Sequence, residues 1–255
     1  MNDYSSFLPF AHLLADAAGR VILRAFEAGL TIEDKADTTP VTQADREAEE
    51  AMRGLITQHF PDHAILGEEG GHTKTISRYT WVLDPIDGTR AFIAGRKEWG
   101  TLIALCDAGV PVLGLLNQPA SGERWAGVEG EPTLYNGEPC RSRACATLAA
   151  AEFSTTSAAY FTPEQAKQVV ALAQSVGRTV KDGDGYAYGL LARGARDIVL
   201  DAGLKPYDIL ALVPIVNGAG GSLTRWDGEP ITLHTHDGTA LAVGDADLLN
   251  AINLC

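Results

Sequence analysis

Asp84 and Asp87 stand three residues apart at the end of an apolar run, Tyr79 to Leu83, with Pro85 between them and Gly88-Thr89 behind. The run reads as a short buried strand that Pro85 and Gly88 stop. Two carboxylates at the mouth of a strand, followed by a turn with free backbone N–H groups, can hold hard cations against a phosphate. A strand ending in an ordinary Asp-Gly turn is the plainer reading, and further carboxylates must decide between the two. Glu68 lies in Gly67-Glu-Glu-Gly-Gly71, where flexible backbone could bring a carboxylate to a cation or could simply form a solvated turn. Asp45 follows Thr42 at the spacing of a capping box, which explains it without chemistry. Asp208 sits between a strand end and an apolar helix, a natural N-cap, yet a carboxylate at a helix start also has the fixed direction a ligand needs.

These acids need elements to position them. Phe7, Phe10, Ala11, Leu14, Ala18, Val21, Ile22, Ala25 and Phe26 fall at helical spacing, so a long amphipathic helix opens the chain and Gly29 ends it. Residues 31–41 are polar and read as a loop before a second helix that carries Asp45. Ala64 to Leu66 is a short strand delivering Glu68. Gly100 to Cys106 and Val110 to Leu116 form paired strands, and a further pair follows around Trp125 to Val128 and Thr133 to Tyr135. This half is α+β. The small, Ala-rich stretch 141–151 marks a junction, dividing residues 1–145 from an alternating half, 146–255. There Thr162-Pro-Glu-Gln165 is a strong helix start, and a helix over 208–217 is ended by Gly218-Ala-Gly-Gly221.

The chain has 255 residues, 45% hydrophobic, with a formal net charge of −13. That balance argues against nucleic acid or an anionic membrane as a partner, and fits a phosphate site only if metal ions invert the local field. Cys106, Cys140, Cys145 and Cys255 show neither C-x-x-C nor zinc spacing and read as reduced thiols. No basic leader precedes the first helix, and no stretch approaches the ~18 apolar residues of a membrane span, so a cytoplasmic protein is expected. The glycine-rich stretches 183–189 and 218–221 miss the dinucleotide and P-loop spacings, and no G-x-S-x-G elbow occurs. His234-Thr-His236 reads as a surface pair.

Taken together, V-T-x-x-D (41–45), G-E-E (67–69), W-x-x-D-P-I-D-G-T-x-x-F (81–92) and Y-D (207–208) with A-G-G (219–221) resemble the inositol monophosphatase superfamily, in order and approximate spacing over nearly the whole chain. The resemblance implies a layered αβαβα sandwich, a homodimer, and a site that hydrolyses a small-molecule phosphate ester with two or three Mg²⁺ ions. Carried over by position, Glu68, Asp84 and the Ile86 carbonyl hold one ion, while Asp84, Asp87 and Asp208 hold a second. Thr89, paired with Asp45, orients and deprotonates the attacking water, and the Gly88 and Thr89 N–H groups cradle phosphate.

The stretches 87–92, 98–105, 117–125 and 203–208 resemble the histidinol-phosphate phosphatase branch. That resemblance implies L-histidinol phosphate as substrate, with Asp184, Asp201 and Arg90 beside the alcohol. Two carboxylates there suit a cationic alcohol better than a neutral polyol. The alternatives are an inositol 1-phosphate or broad phosphomonoesterase, and a non-catalytic binding protein on the same fold.

Overall fold

The structure, a computed structural model, describes residues 3–28, 32–34, 40–73, 76–181 and 183–252. A 3-10 turn, Tyr4–Phe7, runs into α1 (Leu8–Ala28); the expected stop at Gly29 lies outside the described residues. Where the polar sequence reads as loop, β1 (Ile32–Asp34) and β2 (Pro40–Thr42) form an antiparallel ribbon, because backbone pairing needs no apolar face. Then come α2 (Gln43–His59), β3 (Ala64–Gly67), β4 (Gly71–His72), β5 (Tyr79–Asp87), α3 (Thr89–Ile93), β6 (Gly100–Asp107), β7 (Val110–Gln118), β8 (Glu123–Val128), β9 (Leu134–Tyr135) and β10 (Glu138–Pro139). The remainder is β11 (Glu152–Ser154), α4 (Pro163–Ser175), β12 (Arg178–Val180), α5 (Asp184–Ala192), β13 (Ile198–Ala202), α6 (Pro206–Ile209), α7 (Leu212–Gly218), β14 (Ser222–Thr224), β15 (Thr239–Val243) and α8 (Ala246–Ala251).

Besides the β1-β2 ribbon, the described strands form an eight-stranded sheet in the order β10-β9-β8-β7-β6-β5-β3-β4 and a five-stranded one in the order β12-β11-β13-β15-β14. Strand alternation builds the layers between them. Trp81, Leu83, Ile103, Leu105, Leu113 and Leu115 point to α1 and α2, while Val82, Leu102, Ala104, Cys106 and Leu116 point to α5, α6 and α7. In the small sheet Val199, Ala240 and Ala242 face those same helices, and Ile198, Leu200, Leu241 and Val243 face α4 and α8. The stack is an αβαβα sandwich of the α+β class. At α4 the expected capping box forms: the Thr162 N–H donates to Gln165 Oε1 at 2.9 Å, and the Gln165 N–H donates to Thr162 Oγ1 at 3.3 Å.

Three departures from the sequence reading have physical causes. The segment from Tyr4 to Ala28 is long and apolar enough to cross a membrane, where the sequence reading found no such stretch. Its Phe10, Ala11, Leu14, Ala15, Ala18 and Ile22 are instead spent on the core against α2 and the large sheet. The single helix expected over 208–217 is two short ones, α6 and α7, starting earlier because Pro206 opens the first turn. Pro214 has no N–H for the Leu210 carbonyl, which leaves a break at 210–211. And β5 does not stop at Leu83. It continues to Asp87 through a bulge, pairing Asp84 with Leu102 and Asp87 with Gly100.

Candidate active site

That bulge builds the centre of the site. Residues three apart on a regular strand point to opposite faces; one extra residue restores the same face. Asp84 and Asp87 therefore lie on one side of the strand, close enough for their charges to interact, with the Pro85 carbonyl between them taken by Thr101 Oγ1 at 2.8 Å. Gly88 ends the strand with φ 81°, a left-handed conformation that only glycine adopts cheaply, and starts α3. A Cβ on Gly88 would lie 3.0 Å from the Glu98 carbonyl and 3.1 Å from Asp184 Oδ2, so this turn also needs a hydrogen there for space.

The acids from other elements converge on the same place. Glu68 follows β3 and is tied beside Asp84 by its N–H donating to the Leu83 carbonyl at 3.1 Å. Asp45, 1% exposed, comes from the first turn of α2; the Thr42 side chain, the other half of the expected capping box, falls outside what is described. Asp208 is the third residue of α6 rather than its N-cap, which is Lys205, and its Oδ2 accepts the Lys205 N–H at 2.7 Å. What fixes α6 and α7 is a notch in the sheet. Gly114 and Gly127 are cross-strand partners on β7 and β8. A Cβ on Gly114 would lie 1.8 Å from the Ala211 carbonyl oxygen, and one on Gly127 would lie 2.5 Å from the Ile215 nitrogen.

Burial and mutual repulsion shape the electrostatics. Burial, then the charges of Glu68, Asp87, Asp208 and Asp45, raises the Asp84 carboxyl well above the ordinary carboxylate range. Burial, Asp184 and Asp208 do the same to Asp87, against a hydrogen bond from the Gly185 N–H at 2.5 Å. Asp208 is pushed up to about 7 by burial first, with the Lys205 N–H opposing. A site that disfavours the charges of Asp84, Asp87 and Asp208 together is short of positive charge. Asp84 Oδ1 is buried without a hydrogen-bond partner among the described residues, and the donors are all oxygens. That combination fits a hard divalent cation.

Among the described residues no three such side chains already gather as a closed cage. Mg²⁺ keeps several waters and takes only one or two carboxylates alongside substrate phosphate, so it requires none. Two sizeable cavities lie elsewhere, one of about 610 Å³ lined by His12, Arg20, Asn117 and Arg124, and one of about 660 Å³ beside α7; neither contains any of these acids.

The remaining expected residues take defined places. The Thr89 hydroxyl donates to the Ile86 carbonyl at 3.0 Å, so its proton is directed to that oxygen and not to Asp45. Asp184 begins α5 with φ 50°, an uncommon conformation for a residue with a side chain. Its carboxyl is pushed up to about 6 by burial and Asp201, with Arg96 and Arg90 opposing. Arg90 is exposed and lies over the Tyr160 ring, 5.9 Å from its centroid.

Asp201 differs from expectation. It is 3% exposed, with Oδ1 accepting from the Thr156 N–H at 2.7 Å and from Thr155 Oγ1 at 3.2 Å, and Oδ2 from Tyr188 Oη at 3.0 Å. Thr156 Oγ1 in turn accepts the Asp184 N–H at 2.9 Å. Asp201 thus bears on the site through Thr156 and Asp184. Sequence reasoning also passed over Glu49. Its signal was there: Asp45, Glu49 and Arg53 recur at four-residue steps on one face of α2.

The inositol monophosphatase family profile matches residues 3–253. The chain belongs to the inositol monophosphatase family. It is a phosphoric monoester hydrolase. Within the family it is 44% identical to the bifunctional phosphatase IMPL2, chloroplastic, of Arabidopsis thaliana, over 97% of this chain and 74% of that protein. It is 37% identical to a histidinol-phosphatase of Streptomyces coelicolor, over 95% of this chain and 94% of that one. Among solved structures, an inositol monophosphatase from Zymomonas mobilis superposes with a TM-score of 0.90 at 45% identity, covering 99% of this chain and 98% of that one.

Proposed function

We propose that this inositol monophosphatase family member is a Mg²⁺-dependent histidinol-phosphatase, converting L-histidinol phosphate and water to L-histidinol and phosphate in histidine biosynthesis. Glu68, Asp84, the Ile86 carbonyl, Asp87 and Asp208 are the groups that would hold Mg²⁺. When bound, it supplies the positive charge that acidifies water and neutralises the leaving ester oxygen. The Gly88 and Thr89 N–H groups at the start of α3 bind phosphate oxygens. Thr89 Oγ1, turned from Ile86 to Asp45, accepts the proton of the attacking water and passes its own to the buried Asp45 carboxylate. The phosphoryl group moves directly to water, without a covalent phosphoenzyme.

The observation that carries the substrate is Asp184. Its carboxylate lies against Gly88, beside the phosphate turn, in an uncommon backbone conformation at the start of α5. Asp201 fixes it from behind through Thr156. A carboxylate built there at conformational cost suits the ammonium of histidinol. Histidinol-phosphatases among the relatives support the same reading, while the 45% identity to an inositol monophosphatase favours inositol 1-phosphate as the rival.

Asp184→Asn tests the assignment. Losing one charge-assisted contact of about 1.5–3 kcal/mol should lower kcat/KM for histidinol phosphate by roughly 10- to 100-fold. Inositol 1-phosphate turnover should hold or improve. An equal fall on both substrates would remove Asp184 from recognition.

A further inference from the structure

Glu49 lies one turn beyond Asp45 on α2 and is 2% exposed. Its Oε2 accepts the Glu69 N–H at 2.7 Å, and its Oε1 accepts the Gly70 N–H at 2.8 Å and Arg53 Nε at 2.6 Å. Arg53 Nη2 donates onward to the Gly71 carbonyl. The carboxylate also rests against Gly67, where a Cβ would lie 2.1 Å from Oε1. Residues on both sides of Glu68 are therefore gripped from α2, while the Glu68 N–H is held by Leu83 from β5. The backbone of Glu68 has little freedom left, and its side chain starts from a set point next to Asp84.

A buried carboxylate one turn from Asp45 and against the segment that carries Glu68 is costly unless its position is worth that cost. A short turn such as Glu68 to Gly71 could be closed with neutral groups, by an Asn or a serine hydroxyl. An anion taking two backbone N–H groups and a guanidinium is a stiffer clamp. We infer that Glu49, backed by Arg53, is a positioning residue for Glu68 and thereby sets the affinity of the site for its divalent cation. The inference rests on the reading of Glu68 as a cation-holding residue. Partners that orient metal-holding side chains from behind change metal affinity by roughly 10- to 100-fold when removed.

The test is metal binding by the full-length protein without substrate. Titration calorimetry with Mg²⁺, and Mn²⁺ followed by electron paramagnetic resonance, would be run on wild type, Glu49→Gln and Glu68→Gln. Glu49→Gln keeps shape and loses charge. Its Mg²⁺ Kd should rise about tenfold or more, approaching that of Glu68→Gln, while kcat at saturating Mg²⁺ stays within a few-fold of wild type. The gain in Tm on adding Mg²⁺ should shrink with it. A purely structural clamp would lower Tm equally with and without Mg²⁺ and leave the Kd unchanged, which overturns the inference.

Should Glu49→Gln not fold, Arg53→Gln, at a partly exposed position, loosens the same clamp and should show a smaller rise in Kd; an unchanged Kd there is equally fatal. Wild type that binds no Mg²⁺ would reject the cation reading of Glu68 itself. Wild type that binds, with Glu49→Gln binding as well, would reject only the role given to Glu49.

Discussion

Gly114→Ala adds one methyl group at the sheet notch and should disable a site that lies on a different element. The new Cβ would be 1.8 Å from the Ala211 carbonyl oxygen, and since real Cβ contacts do not fall below 3.0 Å, the helical run must retreat by about 1.2 Å at least. Neither side yields easily. The oxygen is backbone, and Gly127 on the neighbouring strand presses the same run at Pro214 and Ile215. Overpacking of this kind costs about 1–3 kcal/mol, a fall in Tm on the order of 5 °C for a chain of this size. Asp208 lies three residues before Ala211 and moves with it. Misplacing a reacting group by about 1 Å costs roughly 100-fold in rate. Phosphate release at saturating Mg²⁺, with Tm by calorimetry, measures both effects. Gly54→Ala is the matched control, because Gly54 is exposed within α2 and a Cβ there meets nothing within 4 Å. Wild-type rate and Tm in Gly114→Ala would refute the claim that the notch places Asp208.

Gly54→Ala itself should raise Tm, by up to about 1 kcal/mol of helix propensity, with activity untouched. Asp84→Asn should abolish turnover, yet raise Tm in EDTA because it removes one buried like charge from the cluster; a variant with near-normal rates would sink the cation-based mechanism. The acids also set a pH dependence in EDTA. Asp208 and Asp184, ordinarily 3.8, are raised to about 7 and about 6, so the folded chain binds their protons more tightly than the unfolded chain. The stability they add is complete below pH 3.8 and is lost as pH rises through about 6 and 7. His12, His63 and His236, held below their ordinary value chiefly by burial, tilt the other way. The diagnostic is therefore the difference between wild type and Asp208→Asn: wild type should lose more stability between pH 5 and about 7.5, and parallel curves would contradict the assignment.

The acids themselves were legible because their spacing to proline, glycine and strand ends is local. What sequence could not show was how β5 uses Pro85. A proline reads as a strand stop, whereas here the bulge it sits in carries the strand on and turns Asp84 and Asp87 to one side. The layers were implied by the family resemblance and not by periodicity; the structure builds them by strand alternation, with Val82 and Leu83, or Val199 and Leu200, divided between cores. The first helix was legible from its 3.6-residue apolar spacing, and its apolar face lies in the core, although its length and composition would also suit a membrane. Asp208 was found but misplaced, because an N-cap and the third residue of a helix both follow a strand end closely. Asp201 was read as facing substrate, and only tertiary structure reveals Thr155, Thr156 and Tyr188 filling its oxygens. Gly114 and Gly127 give no local signal at all, since their reason is a backbone about a hundred residues away.

Phosphate release from L-histidinol phosphate and from inositol 1-phosphate, measured side by side with Mg²⁺ and with EDTA, tests the central claim most directly. The account predicts Mg²⁺-dependent release with a strong preference for histidinol phosphate, abolished by EDTA. Equal or reversed preference would contradict the role given to Asp184 and leave the cation site standing; undiminished release in EDTA would contradict the cation site itself.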